Sequence, residues 1–77
     1  MNEKKRSLLG QARGLIDQAL DIVESVRDQE EESRDNLPES FEDTDRYESM
    51  DNAVDDMDDA ISDLESAKDN LYMACKR

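Results

Sequence analysis

The sequence predicts an all-α protein, an antiparallel two-helix coiled-coil hairpin with helices at about residues 3–34 and 45–75. Apolar residues recur at alternating spacings of three and four in both halves of the chain, which is the seam pattern of a coiled coil. The only proline lies between the halves, and 42% of the residues are charged. At 77 residues the chain is one helical-hairpin domain, 1–77, with a linker at 36–44.

The first helix has a regular heptad. Positions a and d hold Leu9, Ala12, Ile16, Ala19, Val23 and Val26, position g holds Leu8, Leu15 and Ile22, and position e holds Arg6, Arg13, Arg27 and Arg34. Gly10 and Gly14 lie on the outer face, where each costs the helix about 1 kcal/mol relative to alanine. The helix should end near Asn36, because Pro38 disfavours a helical conformation in the residue before it.

The second helix should begin after Thr44, a good N-cap residue, although Ser40 with Asp43 offers an earlier start. Its seam is interrupted only by Lys68, and an alanine stands at every seventh position beside it. The seam residues are Tyr47, Met50, Val54, Met57, Ile61, Leu64, Leu71 and Cys75, and the alanines are Ala53, Ala60, Ala67 and Ala74.

A short linker sets the expected register of the two helices. The a and d residues of the first helix then meet those of the second, with Leu9 near Leu71 and Val26 near Val54. The large g residues of the first helix face the alanines, which lets the backbones approach closely. The expected ion pairs join Arg13 with Glu65 and Arg27 with Asp51. A register shifted by one heptad also pairs arginines with acids, and only the linker length argues against it.

The chain lacks the residues of common catalytic and metal sites. It has no histidine, no glycine-rich phosphate loop and no nucleophile beside a base, so we expect no enzyme, no cofactor and no catalytic residue. Asp43 to Asp45 begins like an EF-hand loop, but Glu48 replaces the required glycine and Val54 the final glutamate. Loose divalent-cation binding by the aspartates is a weaker alternative. The lone Cys75 forms no internal disulfide, and no long apolar segment is present, which predicts a cytoplasmic protein without membrane contact.

The acidic residues are the strongest functional signal. Residues 28–69 hold 18 acidic and three basic side chains, a net charge of −15, whereas the rest of the chain is +3. Thirteen acids are aspartate, a poorer helix former than glutamate, which a purely solubilising surface would not prefer. Such a surface repels nucleic acid and attracts basic proteins. The candidate partner-binding residues are Asp17, Asp21, Glu24, Asp28, Asp51, Asp55, Asp58, Asp59 and Asp63.

Part of the sequence also resembles a group of known proteins. The run from Asn36-Leu-Pro-Glu-Ser through Arg46-Tyr-Glu, with the apolar positions that follow to Leu64, resembles a group of short acidic helical-hairpin proteins of bacteria and their phages. It covers roughly residues 20–67 and implies a hairpin encoded by a mobile element, with no attached activity. By class alone, the chain is similar to the acidic DNA-mimic inhibitors that act against CRISPR or restriction systems.

Two functional hypotheses follow. The first is a non-enzymatic inhibitor, encoded by a phage or mobile element, whose carboxylates mimic nucleic acid and occupy a basic groove on a nucleic-acid-binding protein of the host or its defence system. The alternative is a structural module that forms a homodimeric four-helix bundle without an inhibitory role. In that hypothesis Leu20 is the dimer contact, because it takes an e position and points beyond a two-helix seam. Tyr72 and Met73, if exposed, would mark a further contact.

Overall fold

The protein is an all-α helical hairpin, as the sequence predicts. A computed structural model describes residues 1–41 and 44–77. Helix α1 spans Glu3–Asp35, a short 3₁₀ helix spans Glu39–Phe41, and helix α2 spans Asp45–Cys75. The two long helices pack against each other and give a rod of 59 × 15 × 12 Å. Its radius of gyration is 17.4 Å, whereas a compact domain of this length would have about 11.5 Å.

Side-chain caps fix where both helices begin. The Asn2 side chain accepts a hydrogen bond of 2.8 Å from the Lys5 backbone N–H at the start of α1. The Thr44 hydroxyl accepts one of 3.4 Å from the Tyr47 backbone N–H at the start of α2. The predicted N-cap at Thr44 is therefore confirmed. Asp43, on which the earlier start depends, lies outside the described residues.

The seam of α1 is rotated from the predicted one. Residues at positions a and e face α2 and are buried or partly buried, whereas Val26, which the heptad places in the seam, is 47% exposed. The large g residues do not close the interface either, since Leu8, Leu15 and Ile22 are 56%, 59% and 64% exposed. The expected packing of these three on the alanines of α2 is therefore wrong. The inward a and e residues are Leu9, Arg13, Ile16, Leu20, Val23 and Arg27.

Leu20 and Val54 form the buried centre of the hairpin. Leu20 is 8% exposed and Val54 is 2% exposed, and among the described residues no other side chain is as well covered. The expectation that Leu20 points beyond the two-helix seam is wrong, because rotation of α1 turns its e position toward α2. Substituting Leu20 would therefore damage the hairpin itself and cannot serve as a specific test of dimerisation.

Candidate functional site

Three ion pairs cross the hairpin on one flank. Arg27 Nε donates to Asp58 Oδ1 at 2.7 Å, and Arg34 Nη1 donates to Asp51 Oδ1 at 2.6 Å. Lys68 Nζ lies 2.6 Å from Asp17 Oδ1. Each pair joins a residue of α1 to a residue of α2, and the offset between the two residues along the hairpin is the same in all three pairs.

These ion pairs differ by one heptad from the expected ones. Arg27 pairs with Asp58 and not with Asp51, and Arg13 lies against the ring of Tyr72 and not beside Glu65. The expected pairs are therefore wrong. The alignment of the helices agrees with the expected one, because the Met1 amino group donates to the Arg77 carbonyl oxygen at 3.1 Å and the termini lie level. Side chains on both helices tilt toward their own N-termini, which carries each arginine to an acid one heptad from the expected partner.

Lys68 also pairs across the hairpin. Its Nζ lies 2.6 Å from Asp17 Oδ1. Lys68 occupies a seam position of α2, and its long side chain extends along the hairpin to reach this acid. The interruption of the α2 seam is thus a position at which a cation of α2 pairs with an acid of α1.

The ion pairs stabilise the charged state of their cations. The hydrogen bond that Arg27 donates to Asp58 raises the pKa of Arg27, and those that Arg34 donates to Asp35 and to Asp51 raise the pKa of Arg34. The hydrogen bond that Lys68 donates to Asp17 likewise raises the pKa of Lys68. Each of these cations is charged at neutral pH even without the shift, and it balances the charge of the carboxylate that it faces.

Cations and an aromatic ring gather at the open end. Arg13 Cζ lies 4.9 Å from the Tyr72 ring centroid, and Lys76 Nζ lies 4.5 Å from it. Arg6 Nε donates to the Cys75 carbonyl oxygen at 2.9 Å, which ties the start of α1 to the end of α2. Tyr72 thus has cationic partners within the hairpin and is 44% exposed, while Met73 is more exposed.

The candidate acids divide into two groups. Asp17, Asp28, Asp51 and Asp58 each lie within ion-pair distance of Lys68, Arg27 or Arg34. Across residues 1–41 and 44–77, no ion pair involves the other five candidates, and all of these are exposed. The acids without an ion pair are Asp21, Glu24, Asp55, Asp59 and Asp63. Five of the nine predicted residues therefore carry a charge that no ion pair within the described residues balances.

The outer face of α2 holds most of the remaining negative charge. Between Arg46 and Lys68 this helix carries eight acidic residues and no basic one. Asp55, Asp59 and Asp63 follow one another at spacings of four, which places them along one side of the helix about 6 Å apart. Other exposed acids border this row but were left out of the candidate set, although their outer heptad positions indicate the same face: Glu48, Asp56 and Asp69.

The geometry offers no further chemistry in the part of the chain that the structure describes. No group of three or more potential metal ligands is assembled there. Neither helix has a segment apolar enough to cross a bilayer over these same residues. Comparison with protein-family models, curated proteins and solved structures gives no match. The acidic outer face of α2 is therefore the candidate site.

Proposed function

We propose that this protein is a non-enzymatic acidic ligand whose α2 outer face occupies a nucleic-acid-binding groove on a basic protein. The observation that carries the proposal is the exposed row of Asp55, Asp59 and Asp63 on one helix, which among the described residues lies within ion-pair distance of no cation. Its carboxylates repeat about every 6 Å. Phosphates of one DNA strand repeat about every 3.4 Å along the axis and about twice that along the curved backbone.

The hairpin explains how this row stays available. The cations in and beside the seam bind acids on the flank where α1 and α2 meet, so they do not reach the outer face of α2. A 31-residue helix is about 46 Å long. The row is therefore displayed on a rigid support whose length suits an extended groove. A phage or mobile-element origin, and a partner from a host or defence system such as CRISPR or restriction, belong to the same proposal.

The test is a capture experiment with bacterial lysate at low and high salt. The probes are the wild-type protein, a triple variant Asp55→Asn, Asp59→Asn, Asp63→Asn, and a matched control Glu3→Gln, Glu32→Gln, Glu39→Gln with the same change in net charge. We expect wild type and control to retain a basic nucleic-acid-binding protein at low salt and release it at high salt. The aspartate variant should retain at least tenfold less.

A competition assay then tests the mimicry itself. The captured protein is mixed with its labelled duplex, and fluorescence anisotropy follows release of the duplex as the hairpin is added. Displacement by wild type and control, but not by the aspartate variant, supports a shared groove. Binding of hairpin and duplex at the same time, or equal binding by both variants, would refute the proposal.

A further inference from the structure

One flank of α1 is apolar, and its large side chains are uncovered. Leu8, Ala12, Leu15, Ala19 and Ile22 follow alternating spacings of four and three along it, and we call these five residues the apolar flank. Its three large side chains are each more than half exposed. Single exposed leucines are ordinary, but a continuous row over four turns of a helix in a chain with 42% charged residues is not.

Helix α2 widens the same surface. The ion pairs lie on the e side of the hairpin, and in an antiparallel pair the g positions of both helices lie on the other side. The alanines of α2 occupy g and are partly buried, beside the apolar flank. These residues are Ala53, Ala60, Ala67 and Ala74. The hairpin thus has one flank with ion pairs and one on which exposed large aliphatic residues lie beside small ones.

The total exposed area also indicates a missing contact. The hairpin exposes 5697 Å² to solvent. A compact monomer of the same mass, 8.8 kDa, would expose about 4,800 Å². The excess of about 900 Å² is close to the area of about 800 Å² that each partner buries in a standard stable interface. One further contact on the apolar flank would bring the exposed area to that of an ordinary folded protein.

We propose that this contact is a second copy of the chain, bound flank to flank and antiparallel, with Leu15 near the two-fold axis. Charge distribution favours this occupant. The segment of α1 that carries the apolar flank, residues 8–22, has one basic and two acidic side chains, so two copies of it can meet with little like-charge repulsion. This proposal is independent of the function proposed for the acidic face.

Symmetry and charge both select the antiparallel orientation. Leu8 and Ile22 lie seven residues to either side of Leu15, so reversing one copy about Leu15 sets Leu8 of each against Ile22 of the other. The basic open end, with Lys4 and Lys5, then reaches the start of the acidic segment of the other copy. A parallel pair would instead place the two acidic segments side by side, which like-charge repulsion opposes.

The oligomeric state gives the first test. Light scattering after size-exclusion chromatography at high micromolar concentration should give twice the chain mass of 8.8 kDa for wild type. Leu15→Glu should reduce it to one chain with unchanged helicity, because Leu15 is exposed in the single hairpin. Met73→Glu is the matched control, since Met73 is equally apolar and 53% exposed but lies off the apolar flank. A monomeric wild type, or a Leu15→Glu dimer, would overturn the proposal.

Disulfide trapping gives the orientation and does not depend on how Leu15→Glu folds. In a Cys75→Ala background, Leu15→Cys should cross-link to itself, because the two copies of residue 15 face each other across the axis. Leu8→Cys alone should remain uncross-linked, but it should form a mixed disulfide with Ile22→Cys. Self-linking of Leu8→Cys, without any mixed product, would indicate a parallel pair and refute the arrangement.

The dependence on salt concentration distinguishes the dimer from the binding of a basic partner. Association through apolar side chains between two chains of −12 should hold or strengthen as salt screens their repulsion. Binding of a basic partner should weaken over the same range. Leu15→Glu should therefore abolish the dimer but leave binding of the basic partner unchanged. The triple variant at Asp55, Asp59 and Asp63 should lose binding of the basic partner but still form the dimer. A dimer that dissociates at high salt would contradict the apolar contact.

Discussion

At the scale of single residues, Lys68 joins the two helices although it is partly exposed. Within the described residues it is the one cation of α2 that pairs with an acid of α1, in the reverse sense to the arginine pairs. It stands at a seam position, where the heptad otherwise places an apolar residue. The pair with Asp17 is the contact that this position makes instead.

The first prediction reverses this pair. Asp17→Lys should lower Tm by a few degrees, since two cations then face each other, and adding Lys68→Asp should restore most of the loss. Thermal unfolding followed by circular dichroism measures both. Asp21→Lys is the control, because Asp21 is exposed and takes part in no ion pair within the described residues. If the double variant melts no higher than Asp17→Lys alone, the pair does not act across the hairpin.

At the scale of the elements, α1 is the less regular helix. Its inward row contains Arg13 and Arg27 among the aliphatic residues, and the apolar side chains that a strict heptad would bury remain outside. Gly10 and Gly14 weaken it further, because glycine gains more conformational freedom on unfolding than any other residue. Neither glycine has a positive φ, and a Cβ added at either would meet nothing within 4 Å.

The second prediction follows from that open space. Gly10→Ala and Gly14→Ala should each raise the free energy of unfolding by about 0.5–1 kcal/mol, because alanine lowers the entropy of the unfolded chain and fits the helix without a clash. Urea unfolding measures the change. Ser25→Ala provides a comparison at an exposed position of the same helix without a glycine. A loss of stability in either glycine variant would show that its exposed backbone has a contact that the hairpin alone lacks.

At the scale of the whole molecule, charge and shape are coupled. The two long helices bury only Leu20 and Val54 well among the described residues, so little hydrophobic free energy opposes the repulsion of a −12 chain. The rod form spreads the carboxylates over 59 Å and reduces that repulsion. The same spread leaves the outer face of α2 acidic and the apolar flank uncovered.

The third prediction concerns this balance. Raising NaCl from low to high concentration should raise Tm of the dilute protein, because screening of like charges outweighs screening of the few ion pairs. A salt series followed by circular dichroism measures the trend. Sodium sulfate at matched ionic strength shows how much of any rise is an effect on apolar burial. A Tm that falls with NaCl would mean that the ion pairs dominate the electrostatic free energy.

The sequence alone determined the secondary structure and the antiparallel hairpin. Those features depend on local signals: the spacing of apolar residues, the cap at Thr44, and the proline between the halves. It also located the acidic segment, because charge is carried by composition and helix faces follow from a fixed period. Of the nine candidate acids, five lie within ion-pair distance of no cation among the described residues.

Only the tertiary structure decided which ion pairs form, how α1 is rotated and hence which residues remain exposed. These depend on differences between nearly equivalent arrangements, since arginines and acids both repeat by sevens and α1 has apolar residues on two adjacent stripes. Contacts between the helices select one arrangement: Lys68 pairs with Asp17, and Leu20 is buried against α2. That choice moved Leu20 to the core and left Leu8, Leu15 and Ile22 as the surface open to a second copy.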